Sequence, residues 1–320
     1  MDDIKRGAHM LTVLSGGTGT PKLLQGLIQL VKHEELSIIV NTAEDVEISG
    51  LHVSPDLDTV MYTLAGVVNE DTWYGIHGDT FERHEEFRRQ GKPELLRIGD
   101  RDREVKRYRT DLLKQGKTLS EATRELCMRF GIRWRVMPMS DDYVRTRIGT
   151  EAGPLSFHEF WVARRARDHV TDVKFEGIEF ARPAPGVLDA ICESNAVIIG
   201  PSNPVTSIGP IVAIKEIREA LVQMREKVLA VSPIVGGAPV SGPAGTLMKG
   251  LGYEVSPFGV ARIYGDFVGT LVIDREDMEF VADIEKLGMK VVLEDIIIPD
   301  LSARTKLAKE VLEIISARTS

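Results

Sequence analysis

The chain has 320 residues, 43% of them hydrophobic and 28% charged, with a net charge of -8. That length builds a sizeable core, and the acidic balance argues against a general role on nucleic acid or anionic membranes, which need basic faces. No apolar run approaches the ~20 residues of a membrane span, and two distant cysteines, Cys127 and Cys192, fit small core thiols in a reducing cytoplasm rather than a disulfide framework or metal cluster.

Residues 1–9 lack the apolar stretch of a signal peptide and read as a tag remnant before a start at Met10. Leu11 to Leu14 then predicts a buried parallel strand. It breaks at Ser15 into Gly16, Gly17, Thr18 and Gly19, and the pattern Leu23, Leu24, Leu27, Leu30, Val31 predicts a helix. Thr20 is placed as its N-cap and Pro21 as its first residue. Such a strand, glycine turn and helix start offers free amides and a partial positive charge to an anion, and Lys22 adds a full one. The spacing is not a Walker A loop. It matches a dinucleotide fingerprint only at Gly17 and Gly19, because Lys22 takes the third glycine position. A glycine turn without a ligand is the alternative; a phosphate-binding turn fits better.

Ser37 to Val40 predicts the second strand, ending in the polar run Asn41-Thr-Ala-Glu-Asp45. The loop Ser54-Pro-Asp-Leu-Asp58 follows, and Thr59 to Val68 looks helical. Asp45, Asp56 and Asp58 thus arrive on two loops near the glycine turn, where carboxylates are natural ligands for a hard ion such as Mg²⁺. Asp56 also reads as a helix cap and Asp45 as a solvated loop residue.

From about 73 to 135 the residues turn charged and helix-forming, which predicts a helical insertion or lid over the sheet. It carries Gly78-Asp-Thr-Phe81, Arg97-Ile-Gly-Asp-Arg-Asp-Arg103, and a capping box at Thr118-Leu-Ser-Glu121. Its arginines suit either a diphosphate or a solvated helix face. Arg135 to Asp142 predicts a strand and a polar turn, and the alternation from Val144 to Ile148 an exposed or edge strand. His158, in the aromatic cluster Ser156 to Trp161, reads as a structural imidazole.

A second strand and loop begin at Ala196 and run through Gly200-Pro-Ser-Asn-Pro204 to Ser207-Ile-Gly-Pro210. Lys215 to Glu226 predicts a helix and Lys227 to Val235 a strand, which opens toward Ser241-Gly-Pro-Ala-Gly245. Arg262 to Tyr264, Thr270 to Ile273 and Lys290 to Leu293 are the remaining strands, and Ala303 to Ile315 is an amphipathic closing helix. Four strands therefore end in Gly/Ser/Thr/Asn-rich turns, at Ser15, Asn41, Gly200 and Ser232, which share one rim in a parallel sheet. The expectation is a Rossmann-like α/β domain over 10–320, mainly parallel with helices on both faces, binding a phosphorylated, nucleotide-like ligand.

These ordered motifs, with Ser54 to Val60 and Met137-Pro-Met-Ser-Asp-Asp142, resemble the 2-phospho-L-lactate transferase (CofD) family of deazaflavin coenzyme biosynthesis. The resemblance implies transfer of a phospholactyl or phosphoenolpyruvyl group from a guanosine diphosphate-linked donor to the ribityl hydroxyl of the deazaflavin Fo, with GMP leaving and Mg²⁺ assisting, in a homodimer. It puts the deazaflavin site on Asp58 and Arg97, a position that is often lysine in relatives. It puts the nucleotide on Gly16, Gly17, Thr18 and Gly19 with Lys22 close by, aided by Ser202, Asn203 and Ser207. Asp45 and Asp58 are the implied Mg²⁺ ligands and catalytic carboxylates, and Asp58 is the expected proton acceptor. A non-catalytic nucleotide-sugar-binding regulator of the wider superfamily is the alternative. A nicotinamide-dependent oxidoreductase is a third reading, with Lys22 against it.

Overall fold

In the computed structural model, residues 10–319 are described, so the proposed tag at 1–9 lies outside them. The apolar run Leu11–Ser15 is β1, an interior strand of a seven-stranded sheet. In chain order the other strands are β2 (Leu36–Val40), β3 (Arg135–Pro138), β4 (Ala196–Ile199), β5 (Val228–Val231), β6 (Thr270–Asp274) and β7 (Lys290–Glu294). They lie in the order β7-β6-β5-β4-β1-β2-β3, and every pairing is parallel. The chain thus steps outward in one direction from β1, then returns and steps outward in the other. That reversal between β1 and β4 is the switch point where open α/β sheets bind ligands.

Alternate residues of each strand feed opposite cores. Leu14, Ile39, Ile199 and Ala230 pack on one face, and Val13, Ile38, Ile198 and Leu229 on the other. Both faces are covered, so the strands read as continuous apolar runs. On the second face, α1 (Gly19–Leu27) packs on the closing helix Leu301–Thr319 through Leu23, Leu27, Leu307 and Val311. Next come α2 (Pro55–Leu64), then α3 (Glu82–Arg89), α4 (Asp100–Lys114) and α5 (Leu119–Arg129) within the region read as an insertion. Thr118 and Glu121 form the capping box of α5. Among the described residues no helix is long and apolar enough to cross a membrane.

Several elements differ from the sequence reading. Arg262 to Tyr264 is not a strand but the end of the helix Pro257–Tyr264, which Ser256 caps by accepting from the Gly259 N–H. α2 starts at Pro55 rather than Thr59, since proline suits a first helical position, and it stops before Gly66, whose φ is +68°. α1 starts at Gly19, one residue before the expected cap, and Thr20 lies inside it. Arg145–Thr150 is the middle strand of a small antiparallel sheet, between Leu155–Ser156 and Val170–Glu176. The stretch after β5 leaves the sheet and forms a hairpin, Ile234–Val235 with Ala238–Pro239. Cys127 is buried, whereas Cys192 is exposed.

Candidate active site

A cavity of about 410 Å³ opens at the carboxyl ends of β1, β2, β4 and β5. Its floor is the glycine turn. Gly17 has a φ of +57°, and a Cβ on Gly19 would stand 1.8 Å from the Pro201 carbonyl oxygen, so the backbones of this turn and of the β4 loop touch directly. Ser202 staples the two. Its hydroxyl donates to the Gly16 carbonyl, accepts from the Thr20 N–H at 3.2 Å, and lies 2.7 Å from the Thr20 hydroxyl. Asn203 shapes its own loop, accepting from the Val205 N–H at 2.9 Å and donating to the Thr206 hydroxyl at 3.0 Å. Gly17, Thr18, Gly19, Ser202, Asn203 and Ser207 all line the cavity. Thr18 Oγ1 and Ser241 Oγ, 3.3 Å apart, link the β1 and β5 loops.

Two buried acids stand beside this floor. Asp56, in the first turn of α2, accepts from Asn41 Nδ2 at 2.9 Å and from the Gly17 N–H. Burial pushes its carboxyl up to about 6 against those hydrogen bonds. Glu44 is 6% exposed, and its Oε1 has no hydrogen-bond partner. Burial, the Asp56 charge and the Asp45 charge drive Glu44 well above the usual carboxylate range, against a hydrogen bond from Thr206. His158 donates from Nε2 to the Glu44 carbonyl at 2.7 Å, and burial lowers its proton affinity. Both acids face the cavity, and the charges acting on them are other carboxylates. That set fits a divalent oxygen-loving cation: two carboxylates, one orphaned oxygen, and room for phosphate and water.

Of the carboxylates named from the sequence, Asp56 belongs to this set, whereas Asp58 and Asp45, the implied Mg²⁺ ligands, do not. Asp58 is two residues past Asp56 on a helix, a turn of about 200°, so the two side chains point to opposite faces. Asp58 faces α4 instead, paired with Arg109 and with Lys106 at 3.1 Å. Burial would raise its carboxyl, but Arg109 and then Lys106 overcome it and hold the group well below the usual range. It is a weak base flanked by two cations, and these repel a metal ion. Asp45 accepts from Ser54 Oγ at 2.6 Å and meets His52 Nε2 at 2.8 Å, so both its oxygens are engaged. Lys22 is drawn off the glycine turn: its ammonium sits 5.2 Å from the centre of the Trp73 ring, which also meets the Arg304 guanidinium at 4.7 Å. Burial and the Arg304 charge lower the proton affinity of Lys22.

The remaining walls are apolar and aromatic. Trp73, Tyr74, Leu95, Leu96, Phe157 and Trp161 line them, and Arg97 stands on the rim with its guanidinium 3.8 Å from the centre of the Phe81 ring. A polar, anion-ready floor thus meets a wall suited to a flat ring. A family model described as 2-phospho-L-lactate transferase CofD matches residues 11–317. The chain belongs to the CofD family. It is 50% identical over 303 residues to the 2-phospho-L-lactate transferase of Methanothermobacter thermautotrophicus, covering 95% of this chain and 97% of that one. It is likewise 50% identical over 311 residues to the protein of that name from Methanopyrus kandleri, and 48% over 308 to that from Methanocaldococcus jannaschii. Among solved structures, a UPF0052-family protein of Bacillus halodurans superposes with a TM-score of 0.66 at 16% identity, over 95% of this chain and 99% of its own, so the likeness is one of fold.

Sequence reasoning identified most of the floor but not Glu44 or the aromatic wall. Glu44 and Asp45 are adjacent in one loop, and only the fold decides which of them turns inward.

Proposed function

We propose that this CofD-family chain is a 2-phospho-L-lactate transferase of coenzyme F420 biosynthesis. It transfers the phospholactyl or phosphoenolpyruvyl group of a guanosine diphosphate-linked donor to the terminal ribityl hydroxyl of Fo. The observation that carries this reading is one cavity in which the glycine turn and the Glu44–Asp56 pair face an apolar wall bearing Arg97. In the reaction, the ribityl oxygen bonds to the phosphorus that carries the lactyl group. The bond from that phosphorus to the GMP oxygen breaks, GMP leaves with the electron pair, and the hydroxyl proton is released to solvent.

Such a transfer needs in-line positioning and neutralisation of charge, with little covalent help from the protein. The amides of Thr18 and Gly19 receive the diphosphate at the start of α1. Glu44 and Asp56 are the side chains that would hold Mg²⁺. When bound, that ion offsets negative charge on the phosphate oxygens. Ser202 and Asn203 keep the amide floor in shape before substrate arrives, and preorganised donors of this kind lower the barrier most. The wall from Leu95 to Arg97, with Phe157 and Trp161, receives the deazaflavin. Asp58 serves α2 and α4 rather than the proton transfer.

The test supplies Fo with each guanylated donor and Mg²⁺, and identifies the product by mass. A product heavier than Fo by the donor's phospho-acid half, with GMP released, is expected. No product from any donor, together with tight uridine-sugar binding, would overturn the reading in favour of a regulator.

A further inference from the structure

The pair Gly78-Asp-Thr-Phe81 and Gly99-Asp-Arg-Asp102 forms a reciprocal clasp. Neither α3 nor α4 is capped by the side chain at its own N-cap position. Each borrows its cap from the other. Asp100, the first residue of α4, accepts from the N–H groups of Glu82 at 2.9 Å and Arg83 at 3.1 Å, the opening turn of α3, and from the Thr80 hydroxyl at 2.6 Å. Asp79, just ahead of α3, accepts from the N–H groups of Arg101 and Asp102 at 2.9 Å, the opening turn of α4. The Asp100 N–H donates to the Thr80 carbonyl at 2.8 Å and closes the ring. Gly99 is required there, because a Cβ would fall 2.2 Å from Asp79 Oδ2.

The clasp bears on the cavity through two aromatic steps. Phe81 lies between Thr80 and Glu82, both held by Asp100, and Phe81 is the ring over which the Arg97 guanidinium sits, 3.8 Å from its centre. Residues 94–97 run along the cavity wall between the two helices. Their other end is tied by Glu94, which takes Arg103 from α4 at 2.6 and 3.0 Å, His84 from α3 at 3.0 Å, and Ser49 at 2.7 Å. We propose that Asp79 and Asp100 are positioning residues for the reaction. By capping each other's helices they fix Phe81, and through Phe81 they aim Arg97 into the ring-binding wall. Neither aspartate lines the cavity, so each acts through Arg97 and touches no substrate.

The role of Arg97 as a ring contact rests on the function proposed above, whereas the clasp itself does not, so the experiment has two arms. In the first, steady-state kinetics and Fo fluorescence titration compare the parent with Asp100→Ala, Asp100→Asn and Phe81→Leu. Losing a cap and the stacked ring should raise the KM and Kd for Fo about tenfold in the Ala and Leu variants, with the donor KM and kcat within about twofold. The Asn variant, which still accepts from N–H groups, should recover most of the loss. An Fo KM unchanged in the Ala and Leu variants, or a kcat that falls with KM fixed, would overturn the proposal. In the second arm, trypsin cleavage after Arg97 reads the wall without any substrate. Cleavage should rise about tenfold in Asp79→Ala and Asp100→Ala and stay near the parent rate in Asp100→Asn. Equal cleavage in all variants would overturn the clasp. Absence of Fo binding by the parent, with cleavage changed as expected, would overturn the functional reading and leave the clasp standing.

Discussion

Asp56→Asn should make the metal-free protein more stable while removing its cation site. Asp56 ionises at about 6 rather than 3.8 because burial, and after it the Asp45 charge, outweigh its hydrogen bonds from Asn41 and Gly17. Ionising it at neutral pH therefore costs the folded chain about 3 kcal/mol. The sign follows from the raised folded value: the stability is fully present below about pH 4 and is lost as the pH climbs to about 6. Asparagine does not ionise, and its Oδ1 still accepts from Asn41. One acceptor is lost toward the Gly17 N–H, at about 1 kcal/mol, which leaves a net gain of about 2 kcal/mol. The assay is urea unfolding in chelator at about pH 4 and about pH 7.5, paired with calorimetric titration of Mn²⁺. The variant should match or slightly trail the parent at the lower pH, exceed it at the higher, and bind Mn²⁺ at least about tenfold more weakly. A variant less stable than the parent at the higher pH, or one with unchanged Mn²⁺ affinity, refutes the reasoning.

Asp58→Asn should act in the opposite sense, because it strands the buried Arg109 without a counter-charge and leaves Lys106 only Asp102, at a cost of about 3–5 kcal/mol by urea unfolding. Its depressed folded value means that the stability it brings is present above about pH 4 and lost as the pH falls toward 2; full stability with turnover abolished would instead return Asp58 to the chemistry. Lys22→Met should keep the donor KM within about twofold, so a tenfold rise in donor KM would put the ammonium on phosphate after all. Gly19→Ala drives a methyl into the Pro201 carbonyl and should cost about 1–3 kcal/mol together with most donor affinity; an unchanged donor KM would remove the glycine turn from the site.

The sheet was legible because its strands are buried on both faces and therefore read as unbroken apolar runs. The shared rim was legible from turn chemistry at Ser15, Asn41, Gly200 and Ser232, which end adjacent strands. The acidic site was half legible, and the missing half traces to one boundary. Starting α2 at Thr59 leaves Asp56 and Asp58 together in a loop, whereas starting it at Pro55 separates them by about 200° on a helix. Pro55 after Ser54 was a signal for the earlier start, as Pro257 after Ser256 was for the helix read as a strand. Other features have no local trace. The Trp73 ring between Lys22 and Arg304 joins three distant parts of the chain, and the reciprocal caps of Asp79 and Asp100 show only as two short motifs whose partnership is spatial.

The most direct measurement is a crystal structure of the protein soaked with GDP and Mn²⁺, in which anomalous scattering marks the cation. The account predicts phosphorus atoms against the amides of Thr18 and Gly19 and one cation peak between Glu44 and Asp56. Phosphates bound away from that turn, or a cation on Asp45 or Asp58 with the Glu44–Asp56 pair bare, would contradict it.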